Sequence, residues 1–404
     1  MNKTPEANRL HITIVGRRNV GKSSLLNAIT GQEISIVSDT PGTTTDPVKK
    51  AVELLPYGPV VLIDTAGIDD VGELGEKRIS KTIKALSQSD FAILVFESFK
   101  DPHPKEIELI NLLKKINVPF IAALNKSELG VSDKLLEFLF SHNIKFWKVS
   151  CSTNEGIEEF KVGAIKSLPA LNEPPLVADL VKQGDIAVLV VPIDLGAPKG
   201  RLILPQVQTI REILDSDAVA IVCKEKELRA TLDRLNEKPK LVVTDSQAIM
   251  KVYADIPNDV NLTTFSILMA RHKGDLPTLV KGLKQIEKLE NGDKILIAEA
   301  CSHHAQEDDI GTVKIPRWLR NFTRKDLKID IVHGGDFPQN LTEYKLIIHC
   351  GGCMLNRKAM LVRINQANLM GVPIVNYGVL ISYLHGALPK AIEIFPEALE
   401  AYSN

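Results

Sequence analysis

Gly16-Arg17-Arg18-Asn19-Val20-Gly21-Lys22-Ser23 decides the fold of this chain. The stretch matches the P-loop pattern, and its flanks are those the pattern requires. Leu10–Val15 is an apolar run that reads as a buried strand ending at Gly16, and Lys22–Ile29 reads as a helix opening at the lysine. Glycines let backbone N–H groups wrap phosphate oxygens at a helix N-terminus. Lys22 is placed to neutralise the β and γ oxygens, and the Ser23 hydroxyl to reach Mg²⁺. Gly16, Asn19, Val20, Gly21 and Ser24 complete the expected nucleotide cradle.

Working outward, residues 10–170 alternate apolar runs with amphipathic stretches. Val60–Ile63, Phe91–Phe96 and Pro119–Leu124 read as further strands and Glu106–Lys115 as a helix. The rhythm predicts a parallel sheet covered on both faces. Chemistry sits where the strands end. Asp64-Thr-Ala-Gly67 follows the second run, so Asp64 can hold Mg²⁺ through water and the Gly67 N–H can sense a γ-phosphate. Asn125-Lys126-Ser127-Glu128 follows Pro119–Leu124, and Ser150-Cys151 follows Phe146–Val149.

These pieces resemble the Ras-like GTPase superfamily. Asn125-Lys126-Ser127-Glu128 is similar to its Asn-Lys-x-Asp motif, whose acidic residue pairs with guanine, with Glu128 standing for the usual Asp. Ser150-Cys151 resembles the base-backing motif. Asp39-Thr-Pro-Gly-Thr-Thr44 resembles switch I of the TrmE/Era class, which makes Thr44 the threonine that completes the Mg²⁺ shell. Lys22, Asn19, Thr44, Asp64 and Gly67 are therefore the expected catalytic set for GTP, with GDP as product. Ile68 stands where Ras-like enzymes place a water-positioning glutamine, so intrinsic hydrolysis is expected to be slow. Asn19 stands where potassium-activated relatives place an ion-binding asparagine, so K⁺ is expected to stimulate hydrolysis by adding positive charge.

The rest of the 404 residues carries an ordinary globular composition, 44% hydrophobic and 25% charged with a net charge of −1. That length allows two or three domains. Near-neutral charge lacks the basic footprint of a nucleic-acid binder, so nucleic acid is not expected as a partner. Met1–Leu10 is polar and the apolar runs are short, which predicts a cytoplasmic protein with no signal peptide and no membrane span. Leu171-Asn-Glu-Pro-Pro175 reads as a linker. A second α/β rhythm follows, with strands at Ile186–Pro192, Ala218–Cys223 and Lys240–Val243 and helices at Gln206–Leu214 and Glu225–Leu235. Cys223 reads there as a buried structural thiol. A third unit starts near residue 266, with strands Lys294–Ala298 and Tyr344–Ile348. The expected architecture is an N-terminal P-loop GTPase domain (1–171) and two smaller α/β domains (172–265 and 266–404). The middle one serves packing or homodimerisation.

Only five cysteines occur, and three of them gather near the C-terminus. Cys301 and His303 form Cys-x-His; forty-five residues then separate His303 from His349-Cys350-Gly351-Gly352-Cys353. Both groups follow apolar strands, where open α/β sheets place their sites. Three thiolates and the imidazoles of His303, His304 and His349 are soft-metal ligands. Zinc with Cys₃His ligation and an iron–sulfur cluster both suit them. The acidic run Glu307-Asp308-Asp309 reads as a solvated or helix-capping stretch, and Glu299 and Glu307 are outside candidates for a fourth ligand.

Cys-x-His, a long spacer and His-Cys-x-x-Cys behind a GTPase domain resemble the HydF family, the GTPase scaffolds of FeFe-hydrogenase maturation. Glu307-Asp-Asp-Ile-Gly-Thr-Val-Lys-Ile-Pro-Arg-Trp318 resembles that family too. The resemblance implies a 4Fe–4S cluster on Cys301, Cys350 and Cys353, with His349 or His303 as candidate fourth ligand at an exchangeable iron. It implies a homodimer that assembles or carries the diiron precursor of the H-cluster to apo FeFe-hydrogenase, alongside two radical-SAM maturases. The competing expectation is an RNA-linked TrmE/Era-type GTPase with a C-terminal zinc module. A dithiol redox enzyme is a third, which leaves Cys301 and the histidines unexplained.

Overall fold

Leu10–Gly16 forms β1 and is buried along its whole length, which a strand achieves only with layers packed on both faces. The computed structural model describes residues 5–31, 47–69, 73–170, 173–192, 202–300, 309–334 and 337–403. These fall into two compact units, Met1–Asn172 and Glu173–Asn404.

In the first unit the chain continues through α1 (Lys22–Thr30), β2 (Val48–Leu54), β3 (Gly58–Asp64), α2 (Glu73–Ser87), β4 (Phe91–Glu97) and α3 (Pro104–Lys115). It ends with β5 (Phe120–Asn125), α4 (Asp133–Ser141), β6 (Phe146–Lys148) and α5 (Ile157–Ser167). The sheet order is β2-β3-β1-β4-β5-β6. Successive side chains alternate between two cores. Ile12, Ile93 and Val95 pack with Leu25 of α1 and Phe160 of α5. Val15, Leu94 and Phe96 pack with Leu109 of α3 and Leu139 of α4. The sheet is not wholly parallel as the sequence rhythm predicts, because β2 pairs antiparallel with β3 as a hairpin at the sheet edge. Its Val-Lys-Lys-Ala-Val-Glu-Leu is exposed or half-buried throughout, so it lacks the apolar run that marks an inner strand.

The second unit holds two four-stranded parallel sheets. The first has β7 (Ile186–Val190), α6 (Leu204–Asp215), β8 (Val219–Cys223), α7 (Leu228–Asp233), β9 (Leu241–Thr244), α8 (Ile249–Asp255) and β10 (Asn261–Thr264), in strand order β10-β9-β7-β8. Then come α9 (Phe265–Lys273), α10 (Leu276–Lys281), β11 (Lys294–Glu299), α11 (Ile315–Thr323), β12 (Lys328–His333) and β13 (Leu346–His349). The chain closes with α12 (Arg357–Leu369), β14 (Ile374–Asn376), α13 (Tyr377–Leu384), α14 (Leu388–Ile392) and α15 (Pro396–Ser403). The second sheet runs β12-β11-β13-β14. One continuous apolar core joins Leu189 and Val243 of the first sheet to Ile297 and Ile348 of the second, with Phe265, Leu268 and Met269 of α9 in it. Cys223 differs from the expectation. It lies half-buried on the edge strand β8, beside exposed Val222, rather than inside the sheet.

Candidate functional site

The nucleotide cradle is held open by three glycines that no other residue could replace without moving a neighbour. A Cβ on Gly16 would lie 2.5 Å from the Val95 carbonyl oxygen, and one on Gly67 would lie 2.8 Å from the Arg18 nitrogen. Gly21 has φ +95° and faces Asn125, whose Nδ2 would sit 2.1 Å from a Cβ there. Asn19 takes φ +61°, a left-handed turn in the middle of the loop. Lys22 Nζ donates to the carbonyls of Gly16 (3.1 Å) and Arg17 (2.7 Å), spanning the loop where phosphate would lie. Ser23 Oγ donates to Asp64 Oδ2 at 2.5 Å. Burial raises the Asp64 carboxyl above the usual carboxylate range, against the Ser23 hydrogen bond and the Lys22 charge. Its Oδ1 is buried and has no hydrogen-bond partner among the described residues. An orphaned carboxylate oxygen beside a serine hydroxyl fits a hydrated Mg²⁺, which Ser23 and Asp64 would hold. Val20 is buried under the loop and Ser24 opens α1 beside Ser23. Ile68 is buried against Val15 and Phe96, so it contributes packing and no polar group. Thr44 lies outside the described residues.

The base side is tied to the cradle through Asn125. Its Nδ2 donates to the Val20 carbonyl (2.8 Å) and its Oδ1 accepts from the Cys151 N–H (3.1 Å). Lys126 pairs with Glu97 at 2.5 Å. Glu128 is exposed and accepts from Ser152 Oγ at 2.8 Å; hydrogen bonds from Ser150 and Ser152 hold its carboxyl below the usual range. Ser150 Oγ also accepts from the Thr153 N–H at 3.2 Å. Burial pushes the Cys151 thiol up to about 12, so this residue offers its backbone and not a thiolate.

A second constellation forms in the other unit, where β11 and β13 run side by side in register Ala298↔His349. The Cys350 N–H donates to the Ala298 carbonyl at 2.9 Å. Cys350 Sγ in turn accepts from Ala300 N (3.1 Å) and Gly352 N (3.4 Å). Gly352 has φ +63°, which turns the Cys350–Cys353 loop back on itself before Asn356 caps α12. Burial pushes the Cys350 thiol up to about 11, the two N–H donors opposing. Half-buried sulfur with paired amide donors suits a metal-bound thiolate, whose charge N–H···S bonds offset. The donor set thus fits a cluster held by Cys350 and Cys353, with Ala300 preceding Cys301 in the chain. Cys301, His303, His304, Glu307 and Asp308 lie outside the described residues. Among the described residues no group of three or more His, Cys, Asp or Glu side chains is arranged as a metal site.

His349 is fully buried, and both ring nitrogens are engaged: Nε2 with Arg363 Nη1 at 2.9 Å and Nδ1 with the Cys350 carbonyl at 2.8 Å. Burial, then the Arg363 charge, lowers its pKa to about 3. Glu299 is engaged as well, accepting from Tyr377 OH at 3.0 Å and facing His333 Nδ1 at 3.0 Å. Asp309 caps a helical turn by accepting from the Thr312 N–H, as a capping acid does.

Sequence reasoning missed two positioning residues. Asp69 accepts from the Arg18 N–H (2.6 Å) and Arg17 Nε (3.3 Å), anchoring the cradle from outside. Its only sequence signal is an acid shortly after Asp64-Thr-Ala-Gly67. Arg363 left a clearer trace. It stands between Met360, Ile364 and Ala367 on the buried stripe of α12, where an arginine is out of phase.

Residues 11–126 match the model of a 50S ribosome-binding GTPase domain. Residues 176–274 match that of the hydrogen maturase F dimerisation domain, and residues 277–394 that of its tetramerisation domain. Among relatives, the tRNA modification GTPase MnmE of Endomicrobium trichonymphae is 37% identical over 159 residues, 37% of this chain and 33% of that protein. GTPase Era of Ruminiclostridium cellulolyticum is 32% identical over 164 residues, 39% of this chain and 55% of Era. The chain thus spans about a third to half the length of these relatives. A crystal structure of an Aquifex aeolicus Era variant bound to GDP·AlF₄⁻ covers 52% of this chain and 91% of its own, at 21% identity and TM-score 0.36. Among the described residues no helix is long and apolar enough to cross a membrane. A GTPase domain followed, in order, by the dimerisation and tetramerisation domains of one maturase accounts for most of the sequence, and the chain belongs to the hydrogen maturase F family.

Proposed function

We propose that this protein is a GTP-hydrolysing scaffold that carries a 4Fe–4S cluster and delivers the diiron precursor of the H-cluster to apo FeFe-hydrogenase, working in the cytoplasm with two radical-SAM maturases. The observation that carries the cluster reading is Cys350 Sγ, half-buried just past the end of β13 and receiving N–H bonds from Ala300 and Gly352. Cys301, Cys350 and Cys353 hold the cluster in this reading, and a fourth iron position stays exchangeable. Bound, the cluster supplies an iron that can take an incoming ligand. GTP acts as a switch in the other unit: Lys22, Ser23 and Asp64 meet phosphate and Mg²⁺, Asn19 recruits K⁺, and Thr44 and Gly67 respond to the γ-phosphate. Dimerisation uses β8, an open sheet edge with exposed Val219 and Val222, which pairs with its copy across a two-fold axis.

The test is anaerobic reconstitution with iron and sulfide, followed by EPR of the reduced protein beside Cys353→Ser. A 4Fe–4S signal altered in the variant and perturbed by added imidazole supports the reading. A colourless protein holding one equivalent of zinc overturns it in favour of a zinc-bearing, RNA-linked GTPase.

A further inference from the structure

Arg363 is buried on α12, and among the described residues no carboxylate pairs with it. Its Nη2 donates to the Gly334 carbonyl at 2.8 Å, its guanidinium lies 5.1 Å from the centre of the Phe337 ring, and its Nη1 meets His349 Nε2 at 2.9 Å. Such a cation is costly to bury, so the positions it serves are specific. Guanidinium has donors only. His349 Nε2 must therefore be the acceptor, its lone pair filled by Arg363, and Nδ1 must carry the proton that goes to the Cys350 carbonyl. A neutral imidazole has one in-plane lone pair to give. Here it is given to arginine, and the other nitrogen braces the backbone of the cysteine loop.

We infer that Arg363 is a positioning residue that withholds His349 from iron: it occupies the imidazole lone pair, fixes the tautomer that braces Cys350, and so keeps the fourth iron position free for an exchangeable ligand. The inference rests on the cluster reading above and assigns His349 the opposite role to that of fourth ligand. Phe337 reinforces the lock, since its ring lies against both partners, 6.3 Å from the His349 ring centre. For His349 to turn toward iron, its bonds to Arg363 and to the Cys350 carbonyl must both break inside a closed core.

The experiment is pulsed EPR of the reconstituted, reduced, tag-free protein, read for nitrogen bound directly to iron. Wild type, His349→Gln, Arg363→Met, Arg363→Lys and Arg363→Met/His349→Gln are compared. Wild type and His349→Gln should both lack the coupling and respond alike to added imidazole. Arg363→Met should gain it and lose at least tenfold in imidazole affinity, and the double variant should lose the coupling again. Arg363→Lys keeps a donor and should resemble wild type. A nitrogen coupling in wild type that His349→Gln removes overturns the inference, as does an Arg363→Met spectrum identical to wild type. Thermal unfolding of the metal-free proteins shows whether Arg363→Met folds; if it does not, the comparison of wild type with His349→Gln decides alone. Failure of wild type to load any cluster overturns the maturase reading itself, an outcome distinct from a loaded cluster with bound imidazole.

Discussion

Gly21→Ala and Asn125→Ala should not add. Asn125 is buried and bridges the phosphate loop to the base loop with two hydrogen bonds, one to the Val20 carbonyl and one from the Cys151 N–H. Each is worth about 0.5–1.5 kcal/mol net, and each backbone group left unsatisfied adds about 1 kcal/mol or more. Asn125→Ala should thus destabilise the first unit by about 3–5 kcal/mol. Gly21→Ala puts a methyl 2.1 Å from Asn125 Nδ2, which must evict the amide and break the same bonds. It also forces φ +95° on an alanine, costing about 1–3 kcal/mol more. In the Asn125→Ala background the evicted group is already gone, and only the backbone strain remains. The double variant should therefore cost about 3–5 kcal/mol less than the sum of the singles, the cost of the bonds that both remove. Urea unfolding followed by Trp147 fluorescence in a Trp318→Phe background reads the first unit alone, since these are the two tryptophans of the chain. Trp147 packs edge-on against Phe160 at 6.1 Å and should report loss of that core. Additivity within about 0.5 kcal/mol would refute the shared-bond reasoning.

GTP hydrolysis should run faster in K⁺ than in matched Na⁺ buffer, and Asn19→Ala should remove the difference; equal wild-type rates would end the potassium argument. Glu6 is held at about 2 by its His11 hydrogen bond and by Lys49, below its ordinary 4.5. A folded pKa below the unfolded one gives stability that is full above pH 4.5 and lost as pH falls from 4.5 toward 2. Glu6→Gln should flatten the urea midpoint across that window, and an unchanged slope would count against the ion pair. Val222→Lys places a charge on the open edge of β8 and should shift the solution mass from dimer toward monomer in light scattering. An unaltered mass would move the interface elsewhere.

The P-loop GTPase domain was legible because its signal is local. Gly16 to Ser23 and Asp64 to Gly67 each lie within one strand end and the turn that follows, so spacing alone places them in the fold. The hairpin strand β2 was not legible, since a solvated edge needs no apolar run and Lys49, Lys50 and Glu53 blur its alternation. The cysteine pattern pointed to metal, yet not to the state of His349. That depends on Arg363, fourteen residues further on and on another element, which reaches the histidine only after α12 packs. Asp69 is similar: nothing near it in the sequence says that its carboxylate will meet the amide of Arg18, fifty-one residues earlier.

The register Ala298↔His349 has a consequence for how such chains can change length over time. The spacer between the two cysteine groups is mostly crossover: α11 and β12 on the way out, then the return to β13. Parallel pairing of β11 with β13, and not the residue count, delivers Ala300 to the sulfur of Cys350. Insertions or deletions in the exposed turns of that crossover should be neutral, whereas a single residue added inside β13 would rotate His349 and Cys350 to opposite faces. A search pattern with a fixed spacer would therefore overlook working homologues, and one that fixes the strand ends would find them.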